Sequence, residues 1–280
     1  MADWHLPNRI ERQYARAMSD LFGQLNARLK GIDDPHEIVR RIKRFAEYPQ
    51  FQRHVESIAR VMTTQVNNSI SSTWRASARR AGRGNEIYLG IMRDLRTAEI
   101  GDSFFNTVYA NAEHIKTFPF DIAQELNDFI QAETIKGRRA SSIAEELIAK
   151  HERISESRIR LIARTEVSKT QTALTRARAE NLGLDWYVWR TSEDSRVRSA
   201  HAHMANVLVR WRDAPMPEAM APAAPDNSGI PRRYHAGEIF NCRCYPEPVV
   251  SVDFLTFPMR VHQSGSIRKM TKANFESLGS

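Results

Sequence analysis

The sequence predicts a predominantly helical α+β protein: an elongated helical N-terminal half and a small C-terminal α+β module containing a short antiparallel sheet. Two observations carry this prediction. Apolar residues recur at helical spacing from Ile38 to Ala177, and after Gly183 the pattern changes to short aromatic and β-branched runs. A third observation bounds the class, because no run of about 18 apolar residues occurs and no membrane span is expected.

The elements follow in order. Asp34 is placed as an N-cap, with Pro35 at the first helical position and Glu37 at the third, ahead of the apolar face Ile38, Ile42 and Phe45. Pro49 opens a longer helix whose stripe runs Phe51, Val55, Ile58, Met62, Val66, Ile70 and Trp74. That helix ends in "RASARRAGRG", where Gly82 and Gly84 break it. Arg75, Arg79, Arg80 and Arg83 gather at this end, where cations suit the helix dipole; the same four are candidate DNA contacts. Residues 86 to 136 continue as helix, with Ile122, Leu126, Phe129 and Ile130 on one side, until a break at Gly137. Ser142 and Glu145 form a capping-box pattern that would open the next helix. A further helix turns Ile159, Ile162, Val167, Thr170, Leu174 and Ala177 inward and closes at Gly183 as a C-cap.

"DWYVWRTS", "NVLVRW" and "CRCYPEPVV" then read as strands. The Pro- and Ala-rich stretch from 213 to 235 reads as an exposed loop. The tail after Val250 has few apolar residues and is expected to be flexible or to dock on a partner. Three regions result: a helical region at 1–137, a compact module at 138–250, and a C-terminal tail at 251–280.

Bulk properties narrow the function. The 280-residue chain carries 41 Lys+Arg against 33 Asp+Glu, a net charge of +8, so a polyanionic neighbour such as double-stranded DNA is plausible. Its N-terminus, "MADWHLPNRIERQYAR", has charges where a signal peptide needs an apolar stretch, so assembly in cytoplasm is expected. Two cysteines are too few for a disulfide framework.

Those cysteines stand one residue apart in "NCRC", near other polar groups: Asp194, Arg198, His201, His203 and His235. Residues two apart on a strand share a face, so Cys242 and Cys244 can point at one centre. With His201 or His203 and with His235 they would make a chemically reasonable zinc site. The other reading is that they are small buried hydrophobes. His201, His235 and Asn241 also loosely suggest a His-Asn-His metal nuclease, although prolines follow "NCRCYPEP" where that motif needs a helix. There is no Gly-rich phosphate loop and no nucleophile elbow, and an enzyme is not expected.

The ordered set "IARTEVSKTQTALTRARAENLG", "WRTSEDSRVRSAHAHM" and "YHAGEIFNCRCYPEPVV" resembles the phage Mu F-like family of minor head, or head morphogenesis, proteins. The resemblance covers roughly residues 142 to 250. It rests on "ARTE" at 163–166, Asp194-x-Arg196-x-Arg198-x-x-His201, and Asn241-Cys242-Arg243-Cys244. It implies a virion component inside the head at the portal vertex, assembled in host cytoplasm. Its implied partners are the portal protein and the major capsid or scaffolding proteins, with DNA contacted or accompanied on ejection. Similar modules also occur joined to toxin domains, and after so short a tail none is expected here. Many relatives carry a Cys-x-x-Cys near "VRSAH" and a Pro-x-His before Cys-Arg-Cys, where this chain has His201 and Tyr234-His235. Asp194, Arg196 and Arg198 are expected to form an ion-pair network with Glu166 or Arg164. No resident cofactor is expected, zinc being the one candidate. The alternatives are a metal-dependent nuclease acting on phage or host DNA and a free-standing DNA-binding protein.

Overall fold

A computed structural model describes residues 4–82, 86–95, 101–221 and 232–278. Six helices come first: α1 (Asn8–Leu29), α2 (Pro35–Glu47), α3 (Pro49–Ala81), α4 (Glu86–Asp94), α5 (Gly101–Ile135) and α6 (Ala140–Asn181). Then follow β1 (Trp186–Thr191), α7 (Ser199–His203), β2 (Val207–Arg210), α8 (Pro217–Met220), β3 (Cys244–Pro248), β4 (Met259–Gln263), β5 (Ser266–Met270) and α9 (Lys272–Glu276). The α+β class with helices predominating is the one the periodicity indicated.

Local chemistry explains most helix ends. Asp34 caps α2, accepting the His36 N–H at 2.9 Å with Pro35 in the first turn. α5 and α6 both close in Schellman motifs around a left-handed glycine. Gly137 (φ +73°) directs the Arg138 N–H to Glu133 O at 3.3 Å, and Gly183 (φ +67°) directs the Leu184 N–H to Ala179 O at 2.8 Å. The capping box read at Ser142 and Glu145 is not used: both lie inside α6, which runs unbroken from Ala140. No Gly or Pro interrupts residues 140–181, so nothing splits the segment into two helices. Arg83 and Gly84 lie outside the described residues.

The chain forms two compact units that do not follow sequence order. One, the helical unit, comprises Asn8–Thr64 and Asn106–Arg164. Its core is aromatic and aliphatic: Phe22 packs against Phe118 (ring centroids 4.8 Å) and Phe51 (6.2 Å), and Phe45 against Phe51 (5.1 Å). Ile38, Ile42, Ile115, Ile122 and Leu126 are fully buried in it. The stripes read from the sequence supply Ile38, Ile42, Phe45, Phe51, Ile122 and Leu126, while Phe22 on α1 and Ile115 and Phe118 on α5 were not read from it.

The other, the sheet unit, comprises Met1–Pro7, Gln65–Phe105 and Thr165–Ser280. Its five strands run in the order β3-β1-β2-β4-β5. Pairing is antiparallel except between β2 and β4, where Val207 faces Arg260 and Leu208 faces Val261 in parallel, so the sheet is mixed rather than wholly antiparallel. β1 alternates across the sheet and is buried on both faces. Trp186 and Val188 join Leu208, Val261, Met270 and Phe275 on one side, and Tyr187 and Trp189 turn to the other.

The expectation for the tail is corrected here. Residues 251–278 are not an appendage: β4 and β5 extend the sheet, and Val261, Met270 and Phe275 complete the core under Trp186. The overlooked signal was Ser264-Gly265, both at positive φ (47° and 82°), which form the two-residue loop joining Gln263 to Ser266.

A buried Cys-His-Cys cluster as candidate functional site

The second face of β1 carries the site. Helix α6 flanks it from Thr165 onward, the turn at 192–198 leads into α7, and the segment 234–244 closes it. Backbone bonds set the frame: the Ser192 N–H meets Arg243 O at 2.8 Å, and the Asn241 N–H meets Thr165 Oγ1 at 3.0 Å. Asn241 itself sits at φ 55°, a left-handed conformation in which Asn is among the few tolerated non-glycine residues. The strand direction can therefore change just before Cys242.

Charged side chains then join the segments. Asp194 accepts from the Arg196 backbone N–H (2.9 Å), the Arg196 guanidinium (3.2 Å) and Arg243 (2.9 Å). Its partial burial would raise its pKa, but these donors outweigh that and hold it below the usual carboxylate value. Arg198 donates to Phe240 O at 3.0 Å. Glu166 is buried beside Lys169 at 3.4 Å, and Arg164 reaches Glu11 at 3.2 Å within the helical unit. The partner expected for Asp194 on α6 is thus replaced by Arg243. A bond between strand and turn needs one short side chain, whereas α6 is already engaged through Thr165.

Behind this network lie three buried ligand-type residues. His201, Cys242 and Cys244 are 2%, 3% and 2% exposed, and their donor atoms all lie within 4.8 Å of one another. His201 Nδ1 stands 3.6 Å from Cys242 Sγ and 3.4 Å from Cys244 Sγ. Both thiols are free. The hydrogen bond from Cys244 and the neighbouring His201 lower the pKa of the Cys242 thiol, while burial raises that of Cys244.

The histidine is oriented from behind. Its Nε2 lies 2.9 Å from Tyr234 Oη, and the Tyr234 hydroxyl donates to Glu218 Oε1 at 2.5 Å. Burial, and then Glu218, raise the Tyr234 pKa, so the hydroxyl keeps its proton.

The other predicted histidines are elsewhere. His235 Nδ1 meets Tyr187 Oη at 3.1 Å, with its ring beside Tyr187 and Trp211; burial lowers its pKa to about 4. It is not in the cysteine cluster. His203 packs against Arg260, whose guanidinium donates to His203 O at 2.6 Å. Arg75, Arg79 and Arg80 are exposed on the last turns of α3, with the Arg80 guanidinium 4.2 Å from the Phe254 ring centre.

Sequence reading missed two residues that hold the site. Gly237 (φ +90°) lies so close to α6 that a Cβ there would stand 2.4 Å from Thr172 Oγ1 and 3.1 Å from Cys244 O. Thr172 in turn donates to Ala236 O at 2.6 Å. The signal was the Gly in "HAGE", placed between two buried segments with no turn partner to explain it.

Comparison with known proteins agrees with this geometry. Residues 124–246 match the family described as Phage Mu protein F like protein, a span holding all of α6, β1, β2, the start of β3 and the whole cluster. An uncharacterized protein of Haemophilus influenzae is 30% identical over 140 residues, which cover 50% of this chain and 28% of that protein. No solved structure matches. The residues through which the resemblance was recognised are those that pin the turn, α6 and the last strand together, and they lie within residues 124–246, the part of the chain that is similar to the phage Mu protein F-like family.

Proposed function

We propose that this protein is a minor head, or head morphogenesis, component of a tailed bacteriophage, bound near the portal vertex inside the head. The observation that supports this most is structural. Asp194, Arg198, His201, Asn241, Cys242 and Arg243 bond to one another's segments and build a closed module. An assembly protein uses such a module as a rigid anchor. A hydrolytic centre working on DNA needs its metal ligands open to a bulky polyanion, and His201, Cys242 and Cys244 are almost wholly buried.

The portal and the capsid or scaffolding proteins are the partners this role requires. DNA contact is the second part of the proposal, carried by the net charge of +8 and by exposed Arg75, Arg79 and Arg80. Mass spectrometry of intact particles tests the assignment: the chain is expected in purified heads at low copy number, and its absence overturns the reading. Gel shifts should weaken steeply with ionic strength if phosphate contacts carry DNA binding. Plasmid incubated with Mg²⁺ or Mn²⁺ should remain intact, and cleavage would favour the nuclease alternative.

A further inference from the structure

We propose that His201 Nδ1, Cys242 Sγ and Cys244 Sγ bind one zinc-type divalent cation, with His235 taking no part. Three independent features of the cluster point to this.

The first is spacing. With Zn–S near 2.3 Å and Zn–N near 2.0–2.1 Å, a nitrogen and a sulfur at two corners of a tetrahedron lie about 3.6 Å apart. The observed separations are 3.6 and 3.4 Å. Both nitrogen–sulfur separations are therefore those of zinc ligands, and backbone bonds hold the cysteines: Cys244 by pairing with Thr191, and Cys242 by its N–H to Ile239 O at 3.3 Å.

The second is the tautomer. Tyr234 has one proton, and the Glu218 carboxylate receives it at 2.5 Å. Tyr234 Oη must then accept from His201 Nε2–H, which leaves Nδ1 as a bare lone pair aimed between the two sulfurs. A ligand histidine held through its far nitrogen by a hydroxyl and a carboxylate is the arrangement that fixes ring orientation and raises ligand basicity at metal sites.

The third is proton and charge balance. One dication accepts electron pairs from all three atoms and offsets the thiolates' charge inside a buried pocket. Binding releases the thiol protons to solvent, and nothing is oxidised or reduced. Among the described residues three such ligands come together, so one coordination position is left for an exchangeable ligand such as water.

The test is made on the isolated full chain, so its result is separate from the virion assignment. Protein prepared without chelator is analysed for metal. It is then stripped, loaded with cobalt(II) and read optically for sulfur-to-cobalt charge transfer and tetrahedral d–d bands. The expected result is one equivalent of zinc, and a cobalt spectrum of tetrahedral type with thiolate ligation. The charge-transfer band is lost in Cys242→Ser and Cys244→Ser. Tyr234→Phe weakens affinity about tenfold with the spectrum kept, since its effect is on ring orientation, and His235→Gln binds as the wild type does. The wild-type spectrum is independent of whether any variant folds. A wild-type chain that takes up neither zinc nor cobalt overturns the proposal, as does undiminished metal in a folded Cys242→Ser/Cys244→Ser double variant.

Discussion

The helical unit and the sheet unit bury polar groups in different ways. In the helical unit the buried polar side chains mostly satisfy themselves locally or in single contacts: Thr63 donates to Ala59 O one turn back, and Asn111 donates to Thr63 at the limit of a hydrogen bond, 3.5 Å. His151 is buried there with neither ring nitrogen bonded. Cohesion comes from stripes of Phe, Ile and Leu. In the sheet unit, buried polar groups reach across long sequence separations. Arg178 meets Asp94 at 2.6 Å with both side chains 4% exposed, Gln171 donates to Trp4 O at 2.5 Å, and Thr172 donates to Ala236 O. Apolar packing tolerates graded change, because neighbours can relax into lost volume. A buried polar contact does not, since its orphaned partner has no substitute. The helical unit is therefore expected to weaken by degrees and the sheet unit to fail at particular residues.

The largest effect should come from Gly237→Val. The left-handed backbone and a Cβ 2.4 Å from Thr172 Oγ1 leave no relaxed solution, and a loss above about 4 kcal/mol is expected. Hydrogen exchange should show protection lost in β1 and β3 while α1 and α2 keep theirs. Equal loss in both regions would erase the distinction between the units.

Arg178→Ala should cost about 3–5 kcal/mol, because it strands Asp94 without its charge partner in a buried position. Arg178→Met with Asp94→Leu should recover much of that, as measured by urea denaturation. Phe22→Ala is the counterpart in the helical unit, and about 3–4 kcal/mol is expected from lost volume. Phe22→Leu should retain most of the stability. No equally mild replacement for Arg178 alone is expected, and finding one would count against the contrast.

Acid should act on the helical unit through buried His151 and on the sheet unit through buried His235, with His262, also lowered by burial, adding to the second. Burial lowers His151 and His235 to about 4, below the ordinary 6.5, so both are neutral when folded and the unfolded chain takes up protons first. Stability is then full above pH 6.5 and is lost as pH falls toward 4, about 2 kcal/mol per histidine by pH 5. Urea midpoints at pH 7 and 5 measure the loss, and His151→Gln should flatten the helical unit's share alone. The smallest change belongs to Asp34→Ala, which removes an exposed cap and should raise amide exchange only in the first turn of α2.

The helical unit was the more legible of the two in sequence for the same reason. Stripes such as Phe51 to Trp74 repeat with the helix, and caps at Asp34, Gly137 and Gly183 act within a turn or two. The site was legible in part: the turn at Asp194–His201 and the Asn241–Cys244 strand do meet, and Cys242 and Cys244 do face His201. His235 was not separable from the cluster by spacing, because only its contact with Tyr187 places it. Residues 251–280 looked polar because β4 and β5 bury few side chains each.

What the sequence determined by itself was what near neighbours decide: helical periods, caps, the aromatic strands and the family motifs. What tertiary structure alone decided was which distant groups share a buried site: Arg178 with Asp94, Gly237 against α6, Tyr234 behind His201, and a parallel joint between β2 and β4. Burial removes water as a partner, so a buried polar group depends for its bonds on whatever the fold brings to it, and that choice is made in space rather than along the chain.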